Sequence, residues 1–230
     1  MAKPFGSGVE VSRESVTPHP ALRTDLFRWE RFAPWHRSPF TLNGITMNIY
    51  LAGPDVFLPD AAEIGRRKVE ICARHGLVGR YPLDNLVDLT EADASLRIYK
   101  GLEAMMDECS VIIANLSPFR GPGADPGTVF ELGYMAARGK FCLGYSNDPA
   151  VYCDRVRRFT TVTSHGGYLV DAEGLSVEDF ALSDNLMMMH ALDLHGAPLV
   201  LPREKPKDIW HDLTAFELCV AMAAERFAAR

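Results

Sequence analysis

The absences in this chain narrow its function before any motif does. No apolar run reaches the ~18 residues that a membrane-spanning helix needs, and no signal peptide opens the sequence. The five cysteines (Cys72, Cys109, Cys142, Cys153, Cys219) are odd in number and include no C-x-x-C pair, so neither a disulfide framework nor a thiolate metal site is indicated. A reducing cytoplasm is the expected location. The seven histidines stand without H-E-x-x-H or related spacing, and no metal is expected. Clustered Lys and Arg are missing too, and the formal net charge is −6, which argues against DNA or RNA as the main partner. Finally, the chain has neither G-x-G-x-x-G nor G-x-x-x-x-G-K-[ST], so no loop is built to cradle a nucleotide or flavin phosphate.

At 230 residues and 47% hydrophobic content, the chain is long enough to bury a full core in one domain with appendages. Residues 1–46 read as an N-terminal extension: Pro4, Pro18, Pro20, Pro34 and Pro39 interrupt helices, and Trp29, Phe32 and Trp35 follow no clear period. Residues 47–230 read as the domain. Strand and helix patterns alternate there, with strands at 48–52, 77–81, 111–114, 140–144 and 198–201. The helices between and after them fall at 59–75, 90–109, 126–138, 185–192 and 209–229, and 168–170 reads as a further short strand. This order predicts a flavodoxin-like three-layer α/β/α sandwich with a five-stranded, mostly parallel sheet.

One stretch organises the domain. After the doubly buried strand Val111-Ile-Ile-Ala114 comes Asn115, then a loop rich in Gly and Pro, then a helix with strong end signals. Asp125 reads as its N-cap, Pro126 as its first residue and Gly139 as its left-handed stop, while Asp184 reads as the cap of the later helix. The 126–138 helix is apolar nearly all round and predicts no solvent-facing stripe; Glu131 is the exception. Its side chain leans towards the helix N-terminus over Thr128 and Gly127, leaving room for a ligand. A Glu near a helix start is also commonly a surface residue, so local pattern leaves both readings open.

Ligands of such sheets bind beyond the strand C-termini where strand order reverses, which gathers the loops after 52 and 114 around Glu131. Tyr50 within the first strand is placed to reach a neighbouring carboxylate, or to be a packed core tyrosine. Asp55 and Asp125 are expected to face the cleft, where they would repel an anion and receive hydroxyl groups. A carboxylate pair that grips sugar hydroxyls and attacks an anomeric carbon is the logic of retaining glycosidases. Glu131 fits the nucleophile and Asp125 the hydroxyl clamp.

At these residues the sequence resembles the nucleoside 2-deoxyribosyltransferase family. The resemblance rests on Ile49-Tyr-Leu-Ala-Gly-Pro54 with Phe57, Ala114-Asn-Leu-Ser-Pro-Phe-Arg-Gly-Pro122, Asp125-Pro-Gly-Thr-Val-Phe-Glu-Leu-Gly133 and Asn185-Leu-Met187. It implies a two-step exchange: a nucleobase leaves a 2′-deoxynucleoside, deoxyribose rests on Glu131, and a second base takes it. It also implies that Tyr50 hydrogen-bonds Glu131, that Asp125 holds the 5′-hydroxyl and that Phe57 stacks on the base. Gly53, Asn115 and Gly127 would line the substrate site. Asn185 and Met187 would enter a neighbouring subunit's site, making the active form at least a homodimer. No cofactor is implied; the partners are deoxynucleosides and free bases. One departure stands out. Where members often carry an acid or amide that meets the base, this chain has Leu102, with Glu103, Tyr99 and Asn115 as substitutes. Hydrolysis at the same Glu131, or nucleoside binding without turnover, are the rival readings.

Overall fold

In the computed structural model, the described residues are 47–228 except 86 and 89. The N-terminal extension expected over 1–46 lies outside them. Four parallel strands form the central sheet: β1 (Asn48–Ala52), β2 (Val78–Arg80), β3 (Val111–Asn115) and β4 (Phe141–Tyr145), in the order β2-β1-β3-β4. β1 pairs with β3 from Ile49↔Val111 to Ala52↔Ala114, so both strands end at one level. The chain winds outward from β1 in one direction to β2 and in the other to β3 and β4. The reversal therefore falls between β1 and β3.

The near-continuous Val, Ile, Leu and Ala of these strands follow from burial on both faces. Ile49, Leu51, Val111 and Ile113 pack against α1 (Ala61–Arg74) and α6 (Thr214–Ala228). Tyr50, Ala52, Ile112 and Ala114 pack against α2 (Ala94–Glu108), α3 (Pro126–Ala137) and α5 (Leu186–His195). This is the flavodoxin-like three-layer sandwich. Between β4 and α5 the chain inserts a short helix, α4 (Tyr152–Val156), and a small antiparallel sheet of β5 (Thr163–His165), β6 (Tyr168–Val170) and β7 (Ser176–Val177). Among the described residues, no helix is long and apolar enough to cross a membrane.

Three expectations need correction. The fifth strand at 198–201 is reduced to isolated parallel bridges, Cys142↔Gly196 and Tyr145↔Val200, beside β4. Pro198 between them has no N–H to donate, so the ladder cannot continue. Asn185, not Asp184, caps α5: its side chain accepts the Met187 N–H at 3.0 Å, because the Asp184 carboxylate is drawn to the buried Arg155 at 2.8 Å. And α3 does have an open face. Pro126, Gly127, Phe130, Gly133 and Ala137 are exposed along it, with Phe130 at 52%. The sequence could not separate this face from the buried one because both are apolar.

Candidate active site

The end signals of α3 form as the sequence requires. The Asp125 carboxylate accepts the Thr128 N–H and the Thr128 hydroxyl, each at 2.9 Å on Oδ2, and Pro126 occupies the first turn. At the other end Gly139 takes φ 66, and the Lys140 N–H reaches back to the Met135 carbonyl at 3.1 Å. These two caps fix the rotation of the helix, and hence the side on which Glu131 emerges.

Glu131 emerges over β1. The buried Tyr50 hydroxyl donates to Glu131 Oε1 at 2.5 Å, a short bond of the kind formed with an ionised acceptor. Burial pushes the Glu131 carboxyl up to about 7, the Tyr50 hydrogen bond pulls it partly back, and the charges of Asp125 and Asp55 raise it further. Burial, followed by the adjacent Glu131 charge, raises the Tyr50 phenol too. Tyr50 is therefore a donor at any working pH. Tyr50, Glu131 and Asp125, which stand 81 and 6 residues apart in sequence, are thus one cluster at the C-terminal end of β1.

The loop after β1 is a 3-10 turn, Pro54–Phe57, in which Asp55 is buried and Phe57 is exposed. Asp55 is corrected by it: expected to face the cleft, the carboxylate is fully buried on the α1 side. There it accepts from Lys68 Nζ at 2.6 Å, Tyr81 OH at 3.2 Å and Asn115 Nδ2 at 3.1 Å. A buried carboxylate is tolerated only with such compensation. Gly53 has a plain steric reason: a Cβ there would come within 2.4 Å of the Asp55 carboxylate and 2.8 Å of Asn115 Cβ. Asn115 is held in the same network, and its Oδ1 accepts the Ser117 N–H at 3.1 Å. Phe57 faces outward, 55% exposed, and stacks on Phe119 of the loop after β3, with centroids 5.4 Å apart. The two loops thus meet across the β1/β3 crevice where a ligand is expected.

Of the remaining candidates, Gly127 lies exposed in the first turn of α3, beside Asp125. Asn185 is occupied within its own chain, donating to Glu178 Oε1 at 2.6 Å while capping α5, and Met187 is 72% exposed. Neither makes a hydrogen bond to the Tyr50–Glu131 cluster. Tyr99 and Glu103 bond each other at 3.0 Å on the exposed side of α2, and Leu102 on the same helix is partly buried. Lys68, Tyr81, Phe119 and Arg120 were not singled out by the sequence. Lys68 had left one signal, a lysine in register with the apolar Ile64, Ile71 and Cys72.

With this geometry in view, comparison with known proteins is decisive: residues 49–187, more than half of the chain, match the family model for nucleoside 2-deoxyribosyltransferase. The chain belongs to that family. A solved 2-deoxyribosyltransferase from Leishmania mexicana is 31% identical and superposes with a TM-score of 0.52, covering 76% of this chain and 97% of that one. An uncharacterised protein of Schizosaccharomyces pombe is 38% identical over 166 residues, which are 64% of this chain and 78% of that protein. The family match spans Tyr50, Asp125 and Glu131 together, and it ends at Met187.

Proposed function

We propose that this nucleoside 2-deoxyribosyltransferase family member moves 2-deoxyribose between nucleobases through a covalent intermediate on Glu131. In the first half-reaction a Glu131 carboxylate oxygen bonds to C1′ of a deoxynucleoside as the bond from C1′ to the base breaks. The base departs with the electron pair and gains a proton. In the second half-reaction a ring nitrogen of another base attacks C1′ and gives up its proton to solvent, and Glu131 leaves as carboxylate. The observation that carries this reading is the Tyr50–Glu131 hydrogen bond, which holds one carboxylate oxygen and leaves the other for the sugar. A 2-deoxy sugar has no electron-withdrawing 2′-hydroxyl, so its oxocarbenium-like transition state is accessible to one well-placed carboxylate, with no metal or organic cofactor in the step.

Asp125 Oδ2 is taken by Thr128, and Oδ1 remains to accept the 5′-hydroxyl. Its negative charge sits where a 5′-phosphate would otherwise use the α3 N-terminus, which favours nucleosides over nucleotides. The exposed Phe57 offers a face for the base, with Gly53, Asn115 and Gly127 shaping the loops around it. The open apolar surfaces at Phe130 and Met187 suit a homo-oligomer in which Asn185 and Met187 complete a neighbour's site. Such an enzyme serves deoxynucleoside salvage in the cytoplasm.

Incubating the protein with deoxyinosine, with and without adenine, tests the reading by chromatography of bases and nucleosides. Transfer gives deoxyadenosine only when adenine is present. Hypoxanthine released equally without adenine would mean that water is the acceptor, and no change with deoxyinosine or thymidine would leave a binding module.

A further inference from the structure

The chemistry above leaves Arg120 without a task, although its surroundings are built with care. It lies in the loop after β3 with φ 54, the left-handed region that disfavours a side chain, inside a turn closed by the Phe119 N–H bonding to the Gly123 carbonyl at 3.0 Å. Its guanidinium carbon sits 4.6 Å from the Phe119 ring centroid and 5.4 Å from that of Phe57. Trp210 supports Phe119 edge-on at 6.2 Å. The cation is therefore held against two aromatic rings. Its N–H groups have no hydrogen-bond or ion-pair partner among the described residues, whereas Arg66, Arg74, Arg138, Arg157 and Arg158 all pair with carboxylates.

We propose that Arg120 sets base specificity, selecting 6-oxopurines (hypoxanthine and guanine) over adenine. The inference rests on the transferase reading and on Phe57 as the face on which the base lies. A base stacked at Phe57 brings its edge to the ring-bound guanidinium. The fork donates two parallel hydrogen bonds to the O6 and N7 acceptors of a 6-oxopurine. Adenine keeps N7 but presents an amino donor at position 6, which opposes the second N–H. Thymine and uracil have no such adjacent pair of acceptors on one edge, because their N3–H donates between the two carbonyls. The same two bonds strengthen as negative charge develops on the departing base, which is help that Leu102 cannot give. Arg120 acts by stabilising charge and not by proton transfer.

The test is calorimetric binding of hypoxanthine and of adenine to the wild type, R120G and R120K, alongside kcat/KM for deoxyinosine and deoxyadenosine. Glycine accepts the left-handed backbone, and lysine keeps the charge without the fork. The wild type should bind hypoxanthine ~10-fold or more tightly than adenine, as a good bidentate pair allows. R120G should bring the two bases to near parity and lower kcat/KM for deoxyinosine by roughly 10- to 100-fold, with deoxyadenosine changed less than about threefold. R120K should restore little of the preference, and it reads the same outcome if R120G does not fold. Equal affinities in the wild type, no binding of either base, or an equal loss of both bases in the variants would overturn the proposal. A base preference that follows Arg120 in a protein without turnover would sink the transferase reading alone, and transfer that is indifferent to Arg120 would sink this one alone.

Discussion

A fully buried carboxylate, Asp55, and a partly buried one, Glu131, stand at the same end of the sheet on opposite faces, and the protein treats them differently. Asp55 on the α1 side has three donors, one of them the buried Lys68 ammonium. Glu131 on the α3 side has one, the Tyr50 phenol, and Asp125 adds a like charge nearby. A carboxylate answered by three donors, one of them a cation, has little reason to react, and Asp55 serves to lock the β1 loop against β3 and α1. A desolvated carboxylate with one partner is kept near neutrality, and a developing positive charge beside it offers the compensation it lacks. The contrast separates an acid held as scaffold from the acid proposed as nucleophile.

Removing Glu131 should produce the largest effect. Glu131→Ala is expected to lower deoxyribosyl transfer by on the order of 10⁴-fold or more, as loss of a nucleophile does, while circular dichroism and melting temperature stay close to wild type. Residual rates near wild type would remove Glu131 from the mechanism.

The opposite pattern is expected on the other face. Lys68→Met strands the Asp55 charge and should cost ~3–5 kcal/mol in urea unfolding, with activity lost only as far as the fold is lost. Adding Asp55→Asn to Lys68→Met should recover part of that loss. A double variant no more stable than the single one would mean that the ion pair is not what Lys68 contributes.

pH separates the two acids further. The folded Glu131 carboxyl is raised to about 7 from its ordinary 4.5, so the folded state holds a proton that the unfolded chain has lost. Its contribution to stability is complete below about pH 4.5 and fades as pH rises to about 7. Glu131→Gln removes this dependence. The variant should match wild type near pH 4 and exceed it at pH 8 by on the order of 1–3 kcal/mol, measured by denaturant unfolding at both pH values. For the same reason kcat/KM should fall below about pH 7 as the nucleophile protonates.

Tyr50→Phe should have the smallest effect, roughly 10- to 100-fold in kcat/KM for one hydrogen bond to a charged group. Because that bond lowers the Glu131 pKa, the acidic limb of the pH–rate profile should move to higher pH in the variant. A lower plateau with an unmoved limb would indicate that Tyr50 only fills space.

The sequence reading was accurate where the information is local. α3 is bounded where Asp125, Pro126 and Gly139 place it, since caps act within one turn. The alternation of strand and helix anticipated the layers for the same reason, because a 2.0 or 3.6 period needs no knowledge of neighbours. It failed at 198–201, where a run of Leu and Val outweighed the missing N–H of Pro198. It failed also at Asp55, because an acidic residue in a Pro-Asp loop looks solvent-facing until a lysine is found opposite. Arg120 stood in the sequence only as one residue of a family motif, since a basic residue in a Gly-rich loop is ordinary.

By itself, then, the sequence determined the order of elements, the ends of α3, the isolation of one glutamate among apolar residues, and four motifs that point to one family. Tertiary structure decided what each acid does. Asp55 meets Lys68, Tyr81 and Asn115 at separations of 13, 26 and 60 residues, and Tyr50 meets Glu131 at a separation of 81. Strand order and register set those meetings, and the charge state of a carboxylate follows from the groups around it rather than from its neighbours along the chain.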